Sequence, residues 1–137
     1  MVALTGDVRA LLEGRNFAHV ATVLPDGGPH AVPVWVDTEG DRIVFFTQAG
    51  TRKARNLERD GRIAISLVDG ENPYRTAQIR GRVVARRTGD AAEVVIERLA
   101  RKFTDAPFPW RSPNSVLYVI EPERVRFTLL PFVHRST

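Results

Sequence analysis

Residues 17–47 read FAHVATVLPDGGPHAVPVWVDTEGDRIVFFT, and this stretch decides the fold class. Residues 17–24 form an apolar run of strand length. Pro25, Asp26, Gly27 and Gly28 then supply a turn. Residues 30–36 are rich in valine, residues 37–41 carry a second turn signal, and residues 43–47 form a third run. Short apolar runs bounded by Pro, Asp and Gly read as strands, and three in succession read as an antiparallel meander.

Downstream, residues 51–59 (TRKARNLER) are helix formers with only Ala54 and Leu57 apolar. That spacing predicts a short helix with a narrow buried stripe, ended by Asp60 and Gly61. Residues 62–68 alternate as a fourth strand, and residues 69–73 form a loop. Residues 74–87 form a long strand with Gly81 at its middle, which implies a bulge or bend that lets a sheet curl. Thr88 is placed to cap a helix whose Ala92, Val95, Ile96, Leu99 and Phe103 recur at helical spacing. A proline-rich stretch follows at 106–113, then a sixth strand at 116–120. Glu121 and Pro122 are expected to break it before a seventh strand at 125–130. Upstream, residues 5–14 predict a helix capped by Thr5, striped by Val8, Leu11 and Leu12, and stopped by Gly14. The whole reads as one mainly β domain over residues 1–137, an antiparallel barrel with about six or seven strands and a few short helices.

The composition narrows the chemistry. The chain has 137 residues, 43% of them hydrophobic, and no cysteine. Disulfides, thiolate metal sites and cysteine nucleophiles are excluded. The start, MVALTGDVRALLEG, lacks the basic and long apolar regions of a secretory signal. No run approaches the ~20 apolar residues of a membrane helix, so a soluble, cytoplasmic protein is expected. There is no GxGxxG after a strand, no GxxxxGK[ST], no GxSxG and no HExxH. His19, His30 and His134 lie far apart, which argues against zinc; His19 reads as a core or interface histidine. The aspartates fall at turn positions and no pair stands out as an acid/base couple.

The net charge is +4, and of the cations only Lys53 and Lys102 are lysines. Arginine suits planar, two-pronged binding of phosphate or carboxylate. A nucleic-acid partner would need aromatics interleaved with cations on an exposed strand face. The arginines here read as falling mainly in turns and helices, so nucleic acid is not expected. One segment carries a sharper signal. TQAGTRKARN, residues 47–56, follows a strand and opens a helix. The first N–H groups of a helix have no internal partners, and that end is electropositive, so an anion is stabilised there. Thr51 adds a hydroxyl, Arg52 a forked donor and Lys53 a point charge, while Gly50 allows close backbone approach. An ordinary capped surface helix with solvated cations accounts equally well for the spacing alone.

Two blocks, LPDGGPHAVPVWVDTEGDRIVFFT and QAGTRKARNLERDGRIAISLVDGENPYRTAQIRGRV, resemble the pyridoxamine 5′-phosphate oxidase-like superfamily of FMN-binding split β-barrels. The ordered set is the Asp-Gly turn, Pro-His, Pro-Val-Trp-Val, Thr-Arg-Lys, Arg-Asn-Leu, Asp-Gly-Arg and Arg-Gly-Arg-Val. It covers residues 3–87 well and the remainder loosely. Within that superfamily the chain is most similar to small proteins that use the deazaflavin coenzyme F-420. The resemblance implies a split-barrel homodimer with cofactor sites between subunits. It places Thr51, Arg52 and Lys53 at the cofactor phosphate, Pro33, Val34 and Trp35 on the strand passing the ring, Phe46 and Thr47 on the strand beside it, and Gln78 below it. Asn56 falls on a recurring family position without an assigned role. The end, RVRFTLLPFVHRST, lacks the Trp and Arg segment that completes the vitamin B6 site, so B6 oxidation is not implied.

The function expected on this basis is hydride transfer between coenzyme F-420 and a small organic substrate. The cofactor would supply the chemistry and the chain its orientation, which accounts for the missing acid/base pair. Tyr74 and His134 are candidate proton sources, and solvent is a third. Two alternatives stay open: an FMN-dependent oxidase or flavin reductase of the same fold, and a cofactor-binding module without turnover. Trp110, in the proline-rich stretch, reads equally as a site residue and as a packing residue.

Overall fold

The structure, a computed structural model, describes residues 2–110 and 112–135. The elements in chain order are α1 (Gly6–Glu13), β1 (Ala18–Val23), β2 (Pro29–Val34), β3 (Asp37–Glu39), β4 (Arg42–Gln48), α2 (Arg52–Arg59), β5 (Arg62–Val68), β6 (Arg75–Arg87), α3 (Gly89–Thr104) and β7 (Ser115–Leu129). All strands join one antiparallel sheet in the order β2-β1-β5-β6-β7-β4-β3. Side chains from across this sheet meet in one core with Val8, Leu11 and Leu12 of α1, so the sheet wraps around that helix. The mainly β, split-barrel architecture expected from the sequence is what the chain adopts.

Three expectations are corrected. The first three long strands are not a meander: β1 pairs with β2, but β4 lies across the sheet beside β7. Residues 37–41 are not only a turn, because Asp37–Glu39 pairs with β4 before the chain reverses at Gly40. Glu121 and Pro122 do not break the last strand. Gly81 lies opposite Pro122, and a register shift there takes up the irregularity, so β7 continues for its full length. A bulge is one of the few places where a sheet tolerates a proline lacking its N–H. A Cβ on residue 81 would collide with the Glu121 carbonyl oxygen, so only glycine lets the strands approach this closely.

Strand β7 is buried on both faces along Ser115–Ile120. Val116, Tyr118 and Ile120 face the barrel core with Ile43 and Phe45 of β4. Leu117 and Val119, with Val44, face outward and pack against Ala92, Val95, Ile96 and Leu99 of α3. The helix α3 stripe was therefore legible, but Thr88 makes no side-chain cap to it. At its margin this second core runs out into Trp35, Phe46, Phe103 and Phe108, which are only partly buried. Among the described residues no helix is long and apolar enough to cross a membrane.

Candidate functional site

Where that apolar margin meets the start of α2, the surface opens into a cavity of about 400 Å³. Pro33, Val34 and Trp35 line one side, Phe46, Thr47 and Gln48 another, and Lys53, Phe17, Phe108 and Trp110 complete it. The walls are a relay of aromatic contacts. Phe17 stacks on Phe103 at 5.6 Å, Phe103 on Trp35 at 5.6 Å, and Trp35 meets Phe46 edge-on at 6.0 Å. Phe46 meets Phe108 at 5.3 Å, and Phe108 meets Trp110 at 5.7 Å. These separations lie in the favourable range for aromatic pairs, so the wall is a pre-formed surface for a flat apolar ring.

Helix α2 brings the charge. Its cap is Thr51, whose hydroxyl accepts from the Ala54 N–H at 3.4 Å and lies 3.1 Å from the Thr47 hydroxyl. The same hydroxyl reaches the Gln48 carbonyl at 3.0 Å. Thr51 is thus occupied in building the turn, with its hydroxyl already engaged there. Gly50 sits at φ +86, where a side chain would be strained, while a Cβ there would meet nothing within 4 Å. Its reason for being glycine is the turn and not a close approach within the chain.

Four attachments fix the direction of α2. Ala54 and Leu57 are buried in the barrel core. The fully buried Asn56 donates to the Thr22 hydroxyl at 3.0 Å and accepts from Arg52 Nε at 3.1 Å. Arg59 donates to the Val23 carbonyl. The Tyr118 hydroxyl donates to Glu58 at 2.9 Å. Burial and that carboxylate push the Tyr118 pKa up to about 12, so the donor stays protonated. Asn56 thereby acquires the role the sequence left open: it ties the helix to β1 and holds Arg52.

Of the two part-buried cations of α2, Arg52 is held by Asn56 and Lys53 is left over. It is half-buried, it lines the cavity, and it makes no hydrogen bond or ion pair with any described residue. Burial holds its pKa below the ordinary lysine value, because desolvation penalises the charged form. A half-buried ammonium without a counter-ion, beside the open end of a helix, is a seat for an anionic group. A ring lying on Trp35, Phe46 and Phe108 with a phosphate at Lys53 fits what this cavity offers in size, shape and charge.

The sequence reading and the structure overlap in part. Pro33, Val34, Trp35, Phe46, Thr47 and Lys53 converge on the cavity; Thr51 and Arg52 directly precede Lys53 at the helix start but do not line it. Gln78 does not join them: it lies exposed on β6 and lines a different hollow with His19, Ser66 and Arg126. Tyr74 and His134 pack against each other at 6.5 Å near the end of the chain, and neither lines the Lys53 cavity. Phe17, Gln48 and Phe108 were missed, and Trp110 is placed on the wall. Their signal was weak because each belongs to a strand end or an irregular segment, where no periodicity reports which way a side chain points.

Known proteins resemble this chain in sequence and in fold. A biliverdin reductase of Mycobacterium tuberculosis (strain CDC 1551 / Oshkosh) that depends on reduced F-420 is 30% identical over 124 residues, covering 89% of this chain and 86% of its own. A pyridoxine/pyridoxamine 5′-phosphate oxidase of Rubrobacter xylanophilus is 31% identical over 149 residues, covering 88% and 68% respectively. The solved structure of an F-420 reductase superposes with a TM-score of 0.75 at 28% identity, covering 86% of this chain and 94% of that one. A conserved hypothetical protein of Mycobacterium tuberculosis shares the fold with a TM-score of 0.79 over the whole chain and 94% of its own, at 22% identity. The family model described as pyridoxamine 5′-phosphate oxidase matches residues 4–129, from just before α1 to the last residue of β7, and the chain belongs to that family.

Proposed function

We propose that this chain is an oxidoreductase that holds coenzyme F-420 in the Lys53 cavity and serves hydride transfer between it and a small organic substrate. The observation that carries the reading is the unpartnered Lys53 ammonium at the start of α2, beside an aromatic wall of ring dimensions. The two F-420-named relatives support deazaflavin. The bound cofactor supplies the hydride chemistry. The chain's own residues do the rest. Lys53 and Arg52 neutralise and position the phosphate, with the helix N–H groups beside them. Trp35, Phe46 and Phe108 orient the ring and exclude water from one side of it. Gln78 lies on another face of the chain, so it reaches such a ring only from a second copy; a homodimer is part of the proposal.

A second reading has its own support. The oxidase relative of similar identity favours FMN in the same cavity, since both cofactors pair a flat ring with a phosphate. Titration of the apo protein with coenzyme F-420 and FMN side by side, followed by visible absorption and fluorescence, separates them. Tighter binding of F-420, with steady oxidation of its reduced form by an added acceptor, is expected. Preferential FMN binding overturns the deazaflavin assignment, and tight binding with no turnover of any acceptor favours a carrier module.

A further inference from the structure

Strand β2 carries a buried acceptor that the fold leaves unmet. His30 is half-buried and does not line the Lys53 cavity. Its Nδ1 is enclosed and has no hydrogen-bond partner among the described residues, whereas its Nε2 is not enclosed in this way. In a neutral imidazole one nitrogen bears the proton and the other accepts. The proton belongs on the nitrogen that reaches water, which leaves Nδ1 as an acceptor without a donor.

Directly across from His30 on β1 stands Thr22, so the two side chains point to the same face of the sheet. That face is the inner one, since Val20, two residues along β1, belongs to the core. Thr22 is only 2% exposed. Its hydroxyl accepts from Asn56 Nδ2 at 3.0 Å, and its own proton has no acceptor among the described residues. A hydroxyl with an unspent donor therefore stands opposite an imidazole with an unspent acceptor.

Where that proton goes decides how Asn56 sits. In the orientation present, Nδ2 donates to Thr22 and Oδ1 accepts from Arg52 Nε at 3.1 Å. Turned over, the amide would take the Thr22 proton on Oδ1 and set Nδ2 against the Arg52 N–H, donor against donor. A Thr22 proton spent on His30 leaves the Thr22 oxygen only to accept from Asn56, and the orientation that grips Arg52 is selected. Arg52 makes no other hydrogen bond or ion pair with a described residue, so this grip at Nε is what steers its guanidinium.

We propose that His30 is a positioning residue for Arg52. Its Nδ1 takes the Thr22 hydroxyl proton, directly or through one bridging water, and so fixes the Asn56 amide that holds the guanidinium at the start of α2. The relay runs from β2 through β1 into α2. Its bearing on the cofactor rests on the proposed function, in which Arg52 helps Lys53 to neutralise the phosphate. The relay itself is measurable without cofactor.

The test compares H30N, H30Q and H30L in the full chain. Asparagine sets an acceptor where Nδ1 lies, glutamine sets one where Nε2 lies, and leucine has none. The first readout is exchange of the Arg52 Nε–H with water, followed by nitrogen NMR of the protein without cofactor. A slowly exchanging signal is expected in the parent and in H30N, and its loss in H30Q and H30L. The second readout is coenzyme F-420 affinity by fluorescence titration. It should fall about three- to tenfold in H30Q and H30L, the size of one neutral hydrogen bond, and stay within about twofold of the parent in H30N. Melting curves show whether each variant folds. T22V carries the same test if H30L does not fold: it removes the hydroxyl, and should reproduce the loss of the Arg52 signal. Adding H30N to T22V should then change nothing further. Unchanged Arg52 exchange in H30L or T22V overturns the proposal. So does an equal loss in H30N and H30L, which would make His30 a packing residue. Absence of F-420 binding to the parent would refute the proposed function instead, and the exchange readout would still decide the relay.

Discussion

The chain's two lysines, Lys53 on α2 and Lys102 on α3, sit in comparable burial but in opposite circumstances. Burial lowers the pKa of both. Lys102 is answered in full. It donates to the Val36 carbonyl at 2.6 Å and the Leu12 carbonyl at 3.0 Å, lies 3.7 Å from Asp37, and stands over the Phe103 ring at 4.7 Å. It closes the gap between α1, the β2–β3 connection and α3. Lys53 has the desolvation without the partners. The difference separates a cation the fold itself satisfies from one that, on the proposed function, the cofactor satisfies.

Substitutions break this comparison in opposite ways. The largest effect is expected for Lys102→Ala, which removes two carbonyl hydrogen bonds and the Asp37 contact. It should cost about 2–4 kcal/mol of stability, read as a fall in melting temperature, with cofactor affinity unchanged. Lys53→Ala should do the reverse. Loss of a charge-assisted phosphate contact should weaken cofactor binding by about 1.5–3 kcal/mol, roughly ten- to a hundredfold, while the melting temperature holds or rises. An unfolded Lys53→Ala protein would place Lys53 in the same class as Lys102.

Asn56→Ala lies between the two. It strands the buried Thr22 hydroxyl and frees Arg52, so about 1–3 kcal/mol of stability should go, together with a smaller loss of affinity. Trp110→Ala should cost about 0.5–1.5 kcal/mol in affinity, measurable by titration, and nothing in stability, because the ring is 72% exposed. The smallest effect near neutrality is that of pH. Since burial lowers the Lys53 pKa, the empty protein loses that proton below the ordinary lysine range, whereas a bound anion favours the protonated form. Affinity should therefore be full at low alkalinity and decline as pH rises through the lowered pKa, and Lys53→Arg should postpone the decline.

Much of this was legible in the residues, and the exceptions have physical causes. The α2 start could be read because Thr51 as cap, the basic pair after it and the Ala54–Leu57 stripe are local and periodic. Burial patterns such as that of β5 alternate along a strand, so they report themselves in the sequence. The place of β4 did not: strand partners are set by which faces the core needs, and β4 pairs with a strand far downstream in the chain. The continuity of β7 through Pro122 hid for a similar reason, since the tolerance comes from Gly81 on a neighbouring strand. Phe108 and Trp110 were obscured because a proline-rich segment has no period.

The most direct measurement is a crystal structure grown with coenzyme F-420. The account predicts its phosphate within hydrogen-bond reach of the Lys53 ammonium and its ring against Trp35, Phe46 and Phe108. A ring seated elsewhere, with Lys53 still facing solvent, would contradict it.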